Sequence, residues 1–203
     1  MSKAGFVMKV VLCGDGAVGK TAIRQRYLGK GFQSTYLMTI GADFAVKEVN
    51  INYKDTNYPI KFQIWDLAGQ PRFEAVRGLY YAGCLGALMV FDVTRRDSFE
   101  NLGAWLNEYF KHNGHGKQPL VVLGNKTDLR SEFPNVVSSE EGQTFAERLS
   151  RETVSVGFKV SYFDTSALTG QNISESFESL GKTFLEYNER RKELNRTKNN
   201  LSF

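Results

Sequence analysis

The sequence is poor in the residues that fix a fold covalently or through metal. Of its 203 residues only two are cysteine, Cys13 and Cys84, and each lies in an apolar run. Both read as buried, reduced thiols rather than disulfide partners or nucleophiles. Histidine is as scarce. His112 and His115 stand in the run His112-Asn113-Gly114-His115 with no carboxylate or cysteine nearby, so they read as a solvated loop and not as a metal pair. No apolar stretch approaches the ~20 residues of a membrane-spanning helix. The start, Met1-Ser2-Lys3-Ala4-Gly5, has neither the apolar core of a secretory leader nor a glycine after Met1 for myristoylation. A cytoplasmic protein is the expectation.

Strong charge of one sign is also missing. The net charge is only +4, and the stretch from Glu189 to Lys198 carries +3 of it. The body is near neutral, which speaks against a broad nucleic-acid-binding face. The basic stretch reads as a solvated helix end, with at most a weak contact to anionic lipid. No cysteine follows Cys84, so anchoring through a lipidated C-terminal cysteine is not expected.

What is present is a core-forming chain. Hydrophobic residues make up 41% of it, and the length suits one compact domain. Apolar, strand-like runs alternate with helix-like segments. Strands are expected at 6–13, 43–53, 58–65, 85–93, 120–124 and 160–164, and helices at 21–28, 98–112, 138–151 and 173–192. The runs 43–53 and 58–65 flank the turn-rich Lys54-Asp55-Thr56-Asn57 and read as an antiparallel hairpin. Repeated βα units imply an α/β fold, a mostly parallel six-stranded sheet with one antiparallel edge strand and helices on both faces. The domain is expected to span 1–190. The polar tail, 191–203, is expected to fray.

Ligands of such sheets bind beyond the carboxyl ends of the strands, and four motifs fall there. The first is Gly14-x-x-x-x-Gly19-Lys20-Thr21, a phosphate-binding loop. Its glycines let successive N–H groups turn inward, and the following helix adds its positive end. The backbone of Asp15, Gly16, Ala17, Val18, Gly19, Lys20, Thr21 and Ala22 is expected to line the phosphates. Lys20 supplies a charge to the β and γ phosphates, and the Thr21 hydroxyl can ligate Mg²⁺. The stretch also fits a dinucleotide fingerprint, Gly14-x-Gly16-x-x-Gly19, which by itself leaves a nicotinamide enzyme open; Lys20-Thr21 favours the phosphate loop.

The second motif is an apolar strand ending in Asp66, followed by Leu67-Ala68-Gly69-Gln70. Asp66 suits the Mg²⁺ shell. Gly69 permits a backbone N–H to approach the terminal phosphate, and Gln70 can orient an attacking water. The third is Asn125-Lys126-Thr127-Asp128. A carboxylate at Asp128 accepts from both N1–H and the N2 amine of guanine, and adenine has no such amine. The fourth, Thr165-Ser166-Ala167-Leu168, offers backbone N–H to the guanine carbonyl. Thr39, in a polar segment between the first two motifs, provides a second hydroxyl for Mg²⁺ and would tie that segment to the γ phosphate.

These motifs, with Thr39-Ile40-Gly41-Ala42-Asp43-Phe44, Tyr80-Tyr81-Ala82-Gly83 and Val90-Phe91-Asp92-Val93-Thr94, make the chain resemble a small GTPase of the Ras superfamily, most similar to the Rab family, from about Phe6 to Tyr187. The resemblance implies the P-loop NTPase fold and slow, Mg²⁺-dependent hydrolysis of GTP in a molecular switch of membrane trafficking or of membrane-associated signalling. It implies that Phe32 packs on the base, that Tyr36 closes over the phosphates, that Thr21, Thr39 and Asp66 hold the metal, and that Gln70, Gly69 and Lys20 are catalytic. Ile40 to Phe44, Trp65, Tyr80 and Tyr81 would face effectors. GTP and GDP, effectors, an exchange factor and an activating protein are the implied partners of a monomer. No arginine stands out as acting on the phosphate in cis, so the activating protein is expected to supply one. Pro71 departs from the family's glutamate, and it biases Gln70 toward extended backbone. That leaves room for a nucleotide-bound interaction module that scarcely hydrolyses.

Overall fold

The computed structural model describes residues 5–31, 39–70 and 73–200. Six strands form one sheet: β1 (Phe6–Cys13), β2 (Ala42–Tyr53), β3 (Thr56–Leu67), β4 (Gly86–Asp92), β5 (Leu120–Asn125) and β6 (Ser161–Asp164). Their spatial order is β2-β3-β1-β4-β5-β6. Only the β2–β3 pair is antiparallel. The helices are α1 (Lys20–Tyr27), α2 (Glu74–Tyr81), α3 (Arg96–Glu100), α4 (Leu102–His112), α5 (Ser139–Thr153) and α6 (Ile173–Asn200).

Side-chain alternation on the central strands explains the two helical layers. Met8, Val10 and Leu12 of β1, with Leu88, Val90, Val121 and Leu123, face one way. There they meet Ile23 and Tyr27 of α1 and Phe177, Leu180 and Phe184 of α6. Val11 and Cys13, with Met89, Phe91 and Val122, face the other way, onto Leu102, Trp105 and Tyr109 of α4 and Ala146 and Leu149 of α5. Strands buried on both faces read as unbroken apolar runs, and β4 and β5 are buried along their whole length. Both cysteines are free and buried. Burial pushes the Cys13 and Cys84 thiols well up, Cys84 to about 12, which removes thiolate chemistry at neutral pH.

Four local features differ from the sequence reading. The hairpin is tighter: Tyr53 pairs with Thr56, so Lys54 and Asp55 alone make the turn, at φ of 50° and 58°. This is the left-handed pair that suits the twist of two-residue hairpins. Helix α2 had no counterpart in the sequence reading. The single helix expected over 98–112 is two helices joined at Asn101. Helix α6 continues to Asn200, where fraying was expected. A capping box at Ser138 and Glu141 starts α5 where the sequence places it. No helix among the described residues is long and apolar enough to cross a membrane.

Candidate functional site

The four motifs meet at the carboxyl ends of β1, β3, β5 and β6. The phosphate loop leaves β1 at Gly14, whose φ is 139° and where a Cβ would lie 2.0 Å from the Val90 carbonyl oxygen. It ends at Gly19, which precedes α1 with φ 98°. Between them Ala17 takes φ 65°, a conformation uncommon for a residue with a side chain. Lys20, Thr21 and Ala22 form the first turn of α1. The Lys20 ammonium is buried and donates to the carbonyls of Gly14 and Asp15, both at 2.7 Å. Burial lowers its pKa to about 8, against the opposing pull of Asp66.

Beside it lies an oxygen cluster. Thr21 Oγ1 donates to Asp66 Oδ2 at 2.6 Å and lies 3.0 Å from Thr39 Oγ1. Asp66 is fully buried, and burial raises its pKa, partly offset by the Thr21 hydrogen bond and by Lys20 and Arg24. Its other oxygen, Oδ1, has no hydrogen-bond partner among the described residues. A buried carboxylate oxygen left unpaired is costly unless a ligand completes it. Arg24 sits on Asp43 and reaches to 3.9 Å from Asp66, so the carboxylate is held from behind.

Gly69 approaches the phosphate loop closely: a Cβ there would come within 2.5 Å of Lys20 Nζ and of the Asp15 carbonyl carbon. Gln70 follows, with its Oε1 buried and without a partner among the described residues. Arg77 of α2 holds the Gln70 carbonyl at 2.9 Å while its guanidinium is clamped by Glu108 at 2.7 and 2.8 Å. The Arg77 guanidinium also stacks on Trp105, 4.4 Å from the ring centroid. A cleft of about 750 Å³ runs beside Gly16, Gly69, Gln70, Arg77, Arg95 and Trp105.

The third and fourth motifs are assembled around Asn125. Its Nδ2 donates to the Val18 carbonyl at 2.8 Å, and its Oδ1 accepts from Ala167 N at 3.2 Å. One side chain therefore ties the phosphate loop to the third and fourth motifs. Lys126, at φ 67°, forms an ion pair with buried Asp92 at 2.5 Å. Asp128 lies in the short 3-10 turn Thr127–Leu129, and Ser166 Oγ donates to its Oδ1. Leu168 is exposed; its carbonyl and that of Ala167 accept from Arg26.

The structure thus gathers Gly16 to Ala22, Thr39, Asp66, Gly69, Gln70, Asn125, Lys126, Asp128 and 166–168 at one end of the sheet. Phe32, Tyr36 and Pro71 lie outside the described residues. Tyr81 is corrected: it is fully buried among core residues rather than on an effector-facing surface. Trp65 is half-buried between Phe44 and Tyr80, with ring centroids 4.9 and 5.5 Å away. Sequence reasoning missed the arginines. Arg95 Nη1 donates to the Gly16 carbonyl at 2.9 Å, so an arginine of this chain does stand at the phosphate loop. It missed Trp105 as well, whose Nε1 donates to Asp15. No sequence signal links positions so far apart.

Comparison with known proteins agrees with this geometry. The Ras family model matches residues 9–186. Ras-related protein Rab-13 of Rattus norvegicus is 39% identical over 186 residues, which are 91% of this chain and 84% of the relative. Ras-related protein Rab-11C of Dictyostelium discoideum is 38% identical over 178 residues, 88% of this chain and 72% of that protein. GTP-binding protein ypt3 of Schizosaccharomyces pombe is 37% identical over 175 residues, covering 86% and 74%. The chain belongs to the Ras family and within it is Rab-like, a small GTPase and hence a GTP hydrolase that works as a molecular switch.

Proposed function

We propose that this Rab-like member of the Ras family binds guanine nucleotide at the loop Gly14 to Thr21, reads the base with Asp128, and hydrolyses GTP through Gln70. The observation that carries this reading is the cluster of half-buried Thr21 and Thr39 with buried Asp66 next to Lys20, with Gln70 on the adjoining loop.

Members of this family generally use Mg²⁺. The residues here fit that ion. They offer hard oxygen donors only, two hydroxyls and one carboxylate, and Asp66 Oδ1 is unpaired among the described residues. Among the described residues no cluster of three His, Cys, Asp or Glu side chains could hold a metal alone. That matches a cation held by one or two protein groups together with substrate phosphates. Thr21, Thr39 and Asp66 would hold it, and when bound it would neutralise charge on the phosphate oxygens.

The chain's own groups do the rest. Backbone N–H groups from Gly16 to Ala22 bind the phosphates, and the Lys20 ammonium, now on two carbonyls, turns to them. Gln70 orients the attacking water, with its backbone fixed by Arg77. Thr39 already stands beside Thr21, and the γ phosphate with its cation would fix it there, so its segment reports the nucleotide state. Beside it Ile40 is 77% and Leu79 is 76% exposed, with Phe44, Val46 and Val76 also exposed, an apolar surface suited to effectors and regulators that act in membrane trafficking.

The test is to denature the purified protein, identify the released nucleotide, and follow single-turnover GTP hydrolysis of the parent and Gln70→Leu. Released GDP and unaided turnover of roughly 10⁻⁴ to 10⁻³ s⁻¹, reduced by the substitution, are expected. Persistent bound GTP would establish a non-hydrolysing module instead.

A further inference from the structure

Arg95 stands at the start of α3, on a turn that is fixed at several points. Its N–H donates to the Asp92 carbonyl at 2.9 Å, and its own carbonyl accepts from Ser98 Oγ at 2.7 Å. Asp92 in turn accepts from the N–H and hydroxyl of Thr94, at 2.9 and 2.8 Å. From this base the guanidinium reaches across 79 positions of sequence to the Gly16 carbonyl at 2.9 Å. It is flanked by Asp97 at 3.1 Å and by Asp15 at 4.0 Å. Two carboxylates thus hold the head in place while it donates to the loop.

The direction of that contact matters. A trans peptide is planar, and its C=O and N–H point in opposite directions. The carbonyl of Gly16 belongs to the peptide whose N–H is that of Ala17. Arg95 lies on the outer, α4 side of the loop, in the cleft with Trp105 and Asn101. With the Gly16 carbonyl drawn outward, the Ala17 N–H is turned into the loop. Ala17 is also the residue with φ 65°. An alanine in that region is held there by its surroundings, at a cost of about 1 kcal/mol or more. The peptide under Arg95 therefore has a conformational reason to relax if released.

We infer that Arg95 is a positioning residue for GTP hydrolysis, holding the Gly16–Ala17 peptide so that the Ala17 N–H addresses the phosphates. It rests on the proposed function above. The guanidinium does not touch the reacting atoms. It acts by preorganising a donor, and a preorganised donor contributes most where charge develops on phosphate oxygens in the transition state. The effect should therefore appear in the hydrolysis rate more than in binding of GDP.

The experiment compares the parent with Arg95→Ala, Arg95→Lys and Asp97→Asn. Single-turnover GTP hydrolysis, release of a fluorescent GDP analogue, the thermal midpoint of the GDP-bound protein, and the Ala17 amide proton shift are measured. Arg95→Ala is expected to slow hydrolysis about tenfold, less than the ~10²–10³ of deleting a donor outright. GDP release should change less than about threefold, and the midpoint by less than about 3 °C. The Ala17 amide proton should move upfield as its hydrogen bond weakens. Arg95→Lys, which keeps one donor and the charge, should recover most of the rate, and Asp97→Asn, which loosens the head but leaves the donor and Asp15 in place, should slow hydrolysis less than Arg95→Ala does. Hydrolysis by Arg95→Ala within twofold of the parent overturns the inference. So does an unmoved Ala17 amide, or equal slowing in the alanine and lysine variants with a large loss of thermal midpoint. A parent that itself fails to turn over GTP overturns the GTPase reading and this role with it, whereas an active parent beside an equally active Arg95→Ala overturns only the role of Arg95.

Discussion

Trp105 Nε1 donates a hydrogen bond of 2.7 Å to Asp15 Oδ1, so a core helix grips the phosphate loop by a side chain. Asn101 Nδ2 takes the other carboxylate oxygen at 2.8 Å. The indole itself is buried in the layer between the sheet and α4, and its face carries the guanidinium of Arg77. Asp15 and Gln70, on two separate loops, are thus referenced to the same aromatic ring.

Replacing Trp105 by phenylalanine keeps most of the apolar volume and removes the donor. A hydrogen bond to a charged group is worth about 1.5–3 kcal/mol, and Asn101 remains to share the load, so a loss near the lower figure is expected. Urea unfolding of the GDP-bound protein measures it, and GDP release should accelerate in parallel because the loop is less constrained. Unchanged stability together with unchanged release would mean that the bond does not hold the loop.

Gly16 and Gly69 predict different consequences of the same added methyl. At Gly16 a Cβ would meet only Gln70 Cγ at 3.7 Å, an ordinary contact. Gly16→Ala should fold with a thermal midpoint within about 2 °C of the parent, yet set a methyl against Gln70, limit the movement it needs to place a water, and slow GTP hydrolysis. At Gly69 a Cβ would sit 2.5 Å and 2.6 Å from the backbone carbon and oxygen of Asp15, which cannot move aside like a flexible side chain. Gly69→Ala should push the two loops apart and weaken nucleotide binding as well as hydrolysis. Paired measurements of midpoint, GDP affinity and turnover separate the two, and equal behaviour of the variants would contradict the packing described here.

The contrast between these positions also shows how far the sequence could be read. The strands β1, β4 and β5 are legible because both faces are buried and the code is simply apolar. The motifs are legible because phosphate, metal and base recognition need particular residue types at short spacings. Helix α2 is not legible: it is eight residues long, contains Gly78, and leaves Val76 and Leu79 exposed, so its apolar pattern does not point at the core. Asn101 hides the break between α3 and α4 because its backbone stays in the right-handed helical region while its side chain serves Asp15. The contacts of Arg77, Arg95 and Trp105 with the loops depend on tertiary placement, which no local pattern encodes.

Lys20 makes nucleotide binding pH-dependent. In the nucleotide-free chain burial lowers its pKa to about 8, from the ordinary value of 10.5. Below pH 8 the ammonium is charged in both folded and unfolded chains, and its burial cost is fully present. Between about 8 and 10.5 only the unfolded chain holds the proton, so that cost is relieved as pH rises. A phosphate beside the ammonium raises its pKa again, so binding takes up a proton wherever the free chain has lost it. Calorimetry of GDP binding in buffers of different ionisation enthalpy should show about 0.8 proton taken up at pH ~8.5 and little at pH ~7, with affinity falling above pH ~8. Buffer-independent heats at the higher pH would rule the assignment out.

In the proposed function Asp128 carries the base preference, and its chemistry allows an inversion. Ser166 Oγ donates to its Oδ1, which orients the carboxylate beside the exposed edge of the fourth motif. A carboxylate offers acceptors to both the N1–H and the N2 amine of guanine. Asp128→Asn turns one acceptor into an amide donor, which then faces the N2 amine donor and leaves both unsatisfied. The cost is about 3 kcal/mol, or a loss of roughly 10²-fold in GDP affinity. Xanthine carries a carbonyl oxygen where guanine carries that amine, so xanthosine diphosphate should bind the variant better than it binds the parent. Displacement of fluorescent GDP by each diphosphate measures both changes. If the variant keeps the parent's preference for guanine, the base is read by some other group than Asp128.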